Sequence, residues 1–267
     1  MSEWRIDLKR RVRRLLPRGV RAHRIHAGPL KGRRLVTSWH DYPAALLGYT
    51  EKPLIEWFRR NVQGGETWID VGAHYGYTAL ALSHLVGPQG RVFAFEPVVS
   101  TAGHLQATRA LNQVEQLHVI PLALGPRPYI EFVRATLLRG MADHGPNASA
   151  AIRTEILAIA FDELWPCIAG GTLSIHGVKI DVQGMEIEVL SGMARTLQTF
   201  RPLLVVEIHR GVDRRALLEL LASIGYPGTG EPIGGGRDLA DDCSYCFRAG
   251  PQGRGLAPMA EARRGMS

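Results

Sequence analysis

The sequence predicts an α/β fold, a mostly parallel sheet with helices on both faces. Three observations point there. From residue 50 onward, short apolar runs alternate with stretches of helical periodicity, the pattern of strands joined by helical crossovers. One such run, ending Trp68-Ile69, passes through Asp70-Val71-Gly72-Ala73-His74-Tyr75-Gly76 into a helical stretch. A strand, a glycine turn and a helix in that order bring backbone N–H groups and a helix N-terminus against a ligand. Twenty residues past Gly76, Glu96 ends a second strand-like run, where an acid grips the hydroxyls of a ribose.

The elements follow in order. Thr50 is placed to cap a helix holding Leu54, Ile55, Trp57 and Phe58, with Pro53 in its first turn. The first strand is Thr67–Val71, and its helix runs from about Gly76 to a Gly87-Pro88 stop. Arg91–Phe95 is the second strand, Val99–Leu111 a helix and His118–Leu122 the third strand. Residues 125–154 are weakly patterned, contain Gly140, Gly145 and Pro146, and read as an inserted loop or lid. An apolar run, Ile156–Phe161, then precedes a helix opened by Asp162. Val178–Asp181 is the fourth strand, Glu186–Leu197 a helix and Leu203–Val206 the fifth strand. Asp213 caps a helix closed by Gly225, and Ser244–Phe247 is the last strand.

The glycine spacing narrows the cofactor. A dinucleotide loop wants G-x-G-x-x-G, whose second glycine lets the backbone touch a pyrophosphate. Here His74 stands where that middle glycine would be. A cofactor with a ribose and no pyrophosphate does not need the close approach, and S-adenosylmethionine (SAM) is one.

Charge and composition bound the rest. Residues 1–40 hold 12 Lys and Arg against Glu3 and Asp7, a net of +10, so the remainder carries −3 of the total +7. Trp4, Leu8, Val12, Leu15 and Leu16 recur at helical spacing among arginines. Such a helix either lies on an anionic surface or acidic partner through residues 1–24, or packs its stripe on the domain. The expected organisation is a basic segment over residues 1–47, a catalytic domain over 48–248, and a Gly-, Pro- and Arg-rich disordered tail over 249–267. No run of 18 apolar residues is present, so no membrane span is expected. Cys167, Cys243 and Cys246 are too few for a disulfide framework, which suits a reducing, cytoplasmic setting. Cys243-x-x-Cys246 has no second pair and reads as ordinary strand cysteines.

A second cluster joins the first. Open α/β sheets bind ligands outside the carboxyl ends of their strands, and Asp70, Glu96, Asp181 and Glu207 all fall at or near such ends. Crowded carboxylates repel, so stability alone does not explain four acids on one edge.

The chain resembles the FkbM-type SAM-dependent methyltransferases of the class I methyltransferase fold. The matching segments are Gly48-Tyr49-Thr50-Glu51, Ile69 to Gly76, Phe93 to Pro97, Phe161-Asp162-Glu163, Lys179 to Gly184 with Glu186, and Arg201-Pro202 leading to Glu207. In order they cover about residues 48–210. The resemblance implies a Rossmann-like sheet of seven mostly parallel strands, the last antiparallel. It also implies methyl transfer from SAM to a hydroxyl on a sugar, glycan or natural-product-like small molecule. Asp70, Gly72 and Gly76 would then hold the methionine end of SAM, Glu96 the ribose, and Asp181 would face the sulfonium and acceptor. Two positions depart from the family pattern: His74 replaces a frequent Asn and still donates a hydrogen bond, and neutral Gln183 replaces a frequent Glu.

Methyl transfer from a sulfonium needs nucleophile, methyl and sulfur held in line, and a hydroxyl acceptor needs a proton acceptor nearby. Asp181, Glu207 and His209 are the catalytic candidates. Glu207 and His209 share one side of an extended segment, and a histidine near neutral pKa suits a general base. The same trio could instead bind a divalent metal that polarises the acceptor oxygen; it has no fixed ligand spacing, and a metal is not the favoured reading. An NAD-dependent oxidoreductase is disfavoured by the missing G-x-G-x-x-G; a non-catalytic SAM-fold scaffold is the other alternative. Nucleic acid is not an expected partner, since the net positive charge sits in the N-terminal segment and no base-holding Asn/Asp-Pro-Pro-Tyr-like tetrapeptide follows the fourth strand.

Overall fold

The protein's structure is a computed structural model, and it describes residues 15–136, 142–143, 151–170, 173–234 and 243–250. The chain opens with an antiparallel hairpin, β1 (Arg21–Arg24) and β2 (Arg34–Thr37), followed by helices α1 (Pro43–Leu47) and α2 (Lys52–Asn61). The central alternation is β3 (Thr67–Val71), α3 (Tyr77–Val86), β4 (Arg91–Phe95), α4 (Val99–Asn112) and β5 (Leu117–Ile120). A small second sheet comes next: β6 (Ala123–Leu124), β7 (Tyr129–Thr136), β8 (Ala142–Asp143) and β9 (Ala151–Ile159). The chain returns through α5 (Phe161–Ala169), β10 (Gly177–Ile180), α6 (Glu186–Gly192), α7 (Ala194–Phe200), β11 (Leu203–Ile208) and α8 (Arg214–Ser223). It ends on β12 (Glu231–Pro232) and β13 (Cys243–Phe247).

The main sheet has seven strands in the order β12-β13-β11-β10-β3-β4-β5. Strands β5, β4, β3, β10 and β11 run parallel, and β13 runs antiparallel to β11. The order reverses at β3 and β10, which opens a crevice at their carboxyl ends. Alternate strand residues feed two cores. Trp68, Val92, Ala94 and Val205 face α3, α4 and the N-terminal elements, while Ile69, Val71, Val178, Ile180 and Val206 face α5 to α8. The central strands are buried on both faces, as a parallel sheet between helical layers requires.

Three expectations are corrected. Residues 21–47, expected outside the domain, put Ile25, Leu30, Leu35, Ala45 and Leu46 into the same core as Phe58 and Leu105. Their basic side chains point outward while a few apolar ones are buried, so charge density hid the packing. Leu15 is 85% exposed, and Trp4, Leu8 and Val12 of the same stripe lie outside the described residues. The weakly patterned stretch at 125–154 contains β7 and the first residues of β9, strands paired antiparallel from Tyr129↔Ala158 to Thr136↔Ala151. Ile130 and Leu157 stay exposed on that pair, so its apolar alternation is imperfect and its strands are legible only through their partner. Glu51, at φ 50°, takes the capping position of α2 expected for Thr50.

The helix expected over 186–197 is two helices joined at buried Met193. The carboxylate of Asp162 accepts from Arg195 N and Thr196 N, at 2.9 and 2.8 Å, and starts the second helix. Asp213 caps α8 as expected, accepting from Ala216 N at 3.1 Å. The three cysteines are free. No helix among the described residues is long and apolar enough to cross a membrane. Residues 235–242 and 251–267, which include most of the expected tail, lie outside the described ones.

Candidate active site

The turn after β3 builds the first wall of the crevice. Gly72 has φ +79°, and a Cβ there would overlap the Asp181 carbonyl oxygen; only glycine lets the β3 and β10 turns lie together. Gly72 N and Ala73 N each donate to the Phe95 carbonyl at 3.0 Å. His74 takes the left-handed conformation, φ 51°, and its backbone N donates to Glu96 Oε2 at 2.9 Å. Its ring packs between Tyr42 and Tyr75, with centroids 5.5 and 4.3 Å away.

Glu96, directly after β4, is 4% exposed. Its Oε1 accepts from Val98 N at 3.0 Å. Burial raises its pKa to about 7, against the opposing pull of those two amides and of Lys179. A carboxylate carries about four lone-pair sites, so two amide donors leave acceptor capacity for ribose hydroxyls. Beside it, Gly72, Phe95, Pro97, Leu122, Val182 and Met185 line an apolar pocket.

The second wall centres on Lys179, which the sequence reading passed over. It lies opposite Asp70 on β3 and Val205 on β11 in the parallel register. Its Nζ is 3.2 Å from both Asp70 Oδ1 and Asp181 Oδ2. Asp70 is fully buried and also accepts from Thr78 Oγ1 at 2.7 Å. Burial alone would lower the lysine's pKa, but the charges of Asp181, Asp70, Glu51 and Glu207 outweigh it and hold it above the ordinary value. The available signal was a lysine at the centre of an apolar parallel strand, where a charge must be paired.

One register step further, Asp181 stands beside Glu207. Glu207 pairs across β13 with Ser244, whose Oγ donates to Glu207 Oε2 at 3.4 Å. His209 Nε2 lies 3.5 Å from Asp181 Oδ1 and 3.6 Å from Glu207 Oε1. Its Nδ1 meets Glu186 Oε1 at 2.7 Å, and its Nε2 meets the Gln183 amide nitrogen at 2.9 Å. Gly184 N also donates to Glu186 Oε1, at 3.1 Å. Burial would lower the His209 pKa, but the Glu186 hydrogen bond and the Asp181 and Glu207 charges raise it overall. Burial first, then the Asp181 and Glu51 charges, pushes Glu207 up to about 7. Both His209 and Glu207 are thus shifted upward by the same cluster of charges.

The structure therefore brings Asp70, Gly72, His74, Glu96, Asp181, Glu207 and His209 to one edge. Gly76 caps α3 behind the turn, against Leu105. Sequence reasoning missed Lys179, Glu51 and the contact of Glu186 with His209. Glu51, in the Gly48–Glu51 segment, has its pKa raised by burial, with Asp181 and Asp70 adding to the rise and Lys179 opposing it.

Strand order, glycine turn and strand-end acids together define a class I methyltransferase. Residues 70–227 match the Methyltransferase FkbM domain. The chain is 30% identical over 178 residues to the hexuronic acid methyltransferase AglP of Haloferax volcanii, spanning 64% of this chain and 68% of that protein. Among solved structures, the methyltransferase FkbM from Methylobacillus flagellatus is similar at 18% identity and TM-score 0.49, over 77% of this chain and 52% of that one. Fibrillarin from Aeropyrum pernix, solved with bound SAM, is similar at 15% identity and TM-score 0.45, over 71% of this chain and 68% of that one. The chain spans about half the length of the solved FkbM protein. This chain belongs to the FkbM methyltransferase family.

Proposed function

We propose that this protein transfers a methyl group from SAM to a hydroxyl oxygen of a sugar or glycan, in the cytoplasm. The supporting observation is one continuous edge. A ribose-gripping acid and a glycine turn stand at its β3–β4 end, and proton-accepting groups stand at its β10–β11 end. The residues fit SAM: Gly72 leaves the room that a Cβ would fill, and Glu96 is a buried acceptor beside an apolar pocket. Bound SAM supplies an electrophilic methyl on a sulfonium. Glu96 would bind the ribose, with the turn amides beside it, and Asp70 and Asp181 would face the cationic end. Lys179 holds those two carboxylates in place. As the acceptor oxygen takes the methyl, its proton passes to Glu207, whose pKa near 7 suits the transfer. His209, held by Glu186, stabilises the charge that Glu207 and Asp181 carry. The name of the AglP relative supports an acidic sugar as acceptor. The three free cysteines support the cytoplasmic reading.

The test is calorimetry with SAM and NAD in separate titrations, followed by labelled-methyl transfer to a panel of uronic acids, neutral sugars and oligosaccharides. SAM binding with label on a sugar oxygen is the expected result. NAD binding in place of SAM would overturn the reading. SAM binding with no transfer to any sugar would restrict it to a binding scaffold.

A further inference from the structure

We propose that Asp181, Glu207 and His209 form a binding site for a divalent cation of the manganese class, an inference that rests on the methyl-transfer reading of this edge. One donor atom from each residue lies within 4.8 Å of the other two. The Nε2–Oδ1 and Nε2–Oε1 separations are 3.5 and 3.6 Å. Oxygen ligands of such ions sit at roughly 2.1–2.6 Å, which places adjacent donors of a six-coordinate ion about 3–3.7 Å apart.

The rear atoms carry the argument further. Each of the three residues is tied on the side away from the convergence point. Lys179 Nζ holds Asp181 Oδ2 at 3.2 Å, Ser244 Oγ holds Glu207 Oε2 at 3.4 Å, and Glu186 Oε1 holds His209 Nδ1 at 2.7 Å. Such outer contacts orient metal ligands and fix the histidine tautomer. A carboxylate only accepts, so Nδ1 keeps its proton toward Glu186, and a bound cation would take the place of the imidazolium proton on Nε2. The Gln183 amide lies 2.9 Å from Nε2 on an exposed turn; rotating its side chain frees Nε2 and offers its own oxygen.

Charge points the same way. Glu186 is fully buried, and its Oε2 has no hydrogen-bond partner among the described residues. Its charge calls for a positive centre beyond His209. Glu51, Asp70, Asp181 and Glu207 surround the single lysine. Two carboxylates neutralise a divalent ion, and their oxygens suit manganese, with the imidazole as a third ligand. The remaining coordination positions would take oxygen donors, and two neighbouring sugar hydroxyls supply them. A bound cation would lower the hydroxyl pKa, which eases the passage of its proton to the Glu207 carboxylate.

The experiment titrates manganese chloride into chelator-treated full-length protein, with the free ion followed by electron paramagnetic resonance. One ion per chain is expected, with affinity reduced at least tenfold in Glu207→Gln and His209→Gln. Electron-spin-echo modulation from an imidazole nitrogen is expected in the wild type, a readout independent of any variant's folding. Absence of saturable binding, absence of nitrogen modulation, or unchanged affinity in a folded His209→Gln would each overturn the cation site. SAM binding without manganese binding overturns this inference and leaves the methyl-transfer reading standing. Manganese binding with nitrogen modulation but no SAM binding sustains the site and overturns that reading.

Discussion

Lys179→Met tests whether the paired lysine holds the site together. The substitution keeps the length and most of the volume of the side chain and removes its charge. Each ion pair spans 3.2 Å, a gross attraction of about 5 kcal/mol at an effective dielectric near 20. Most of that offsets desolvation, so the cost is set by the carboxylates left behind. Asp181 is 22% exposed and can turn to water; Asp70 is fully buried and keeps only the Thr78 hydroxyl. Orphaning a buried charge costs about 3–5 kcal/mol. For a chain of this size that lowers the melting temperature by about 6–20 °C. Thermal melts of Lys179→Met and of Lys179→Met with Asp70→Asn measure it. The double variant should recover most of the loss, because neither partner is then charged. A single variant melting within about 2 °C of wild type, or a double variant less stable than the single, would refute the reasoning.

Four further outcomes are expected. Glu96→Ala should weaken SAM binding by about 2–4 kcal/mol in calorimetry, since two ribose hydroxyls lose a charged acceptor; an unchanged affinity with the fold intact rejects the ribose role. Glu96 titrates at about 7 through its burial, and its ionised form is the acceptor. SAM affinity should therefore rise with pH through 7, level off above it, and stand about tenfold lower one unit below; a flat profile between pH 6 and 8 argues against it. Asp181→Asn should lower kcat and kcat/KM together with little change in SAM affinity, as steady-state kinetics beside calorimetry will report. Deleting residues 1–14, which keeps the Pro17 carbonyl that accepts from His40 N at 3.0 Å, should leave SAM affinity and melting temperature unchanged. It should reduce sedimentation with anionic vesicles, most at low salt, where the Debye length is longest. A destabilised truncation, with no vesicle binding by the full chain, would leave only a packing role.

Local pattern was enough for the elements nearest the cofactor edge. The Asp70–Gly76 turn, Glu96 after β4 and Asp181 after β10 were legible because a strand end, a glycine and an acid lie close together in sequence. Their meaning follows from the carboxyl-end rule of open sheets. Asp213 as a helix cap was legible for the same reason: its partner, Ala216, is three residues away.

What depended on distant partners was not legible. The β7–β9 pair joins residues across the stretch read as a loop, and residues 21–47 reveal their packing only where Leu35 and Leu46 meet Phe58. The convergence of Lys179 with Asp70, and of His209 with Glu186 and Asp181, brings together residues from β3 and β10, from the turns that follow β10 and β11, and from the start of α6. Sequence chose the residue types and their places along each strand. Tertiary structure chose their charge states, because burial and neighbouring charge, both set by register, decide which carboxylate titrates near neutrality and which lysine never does.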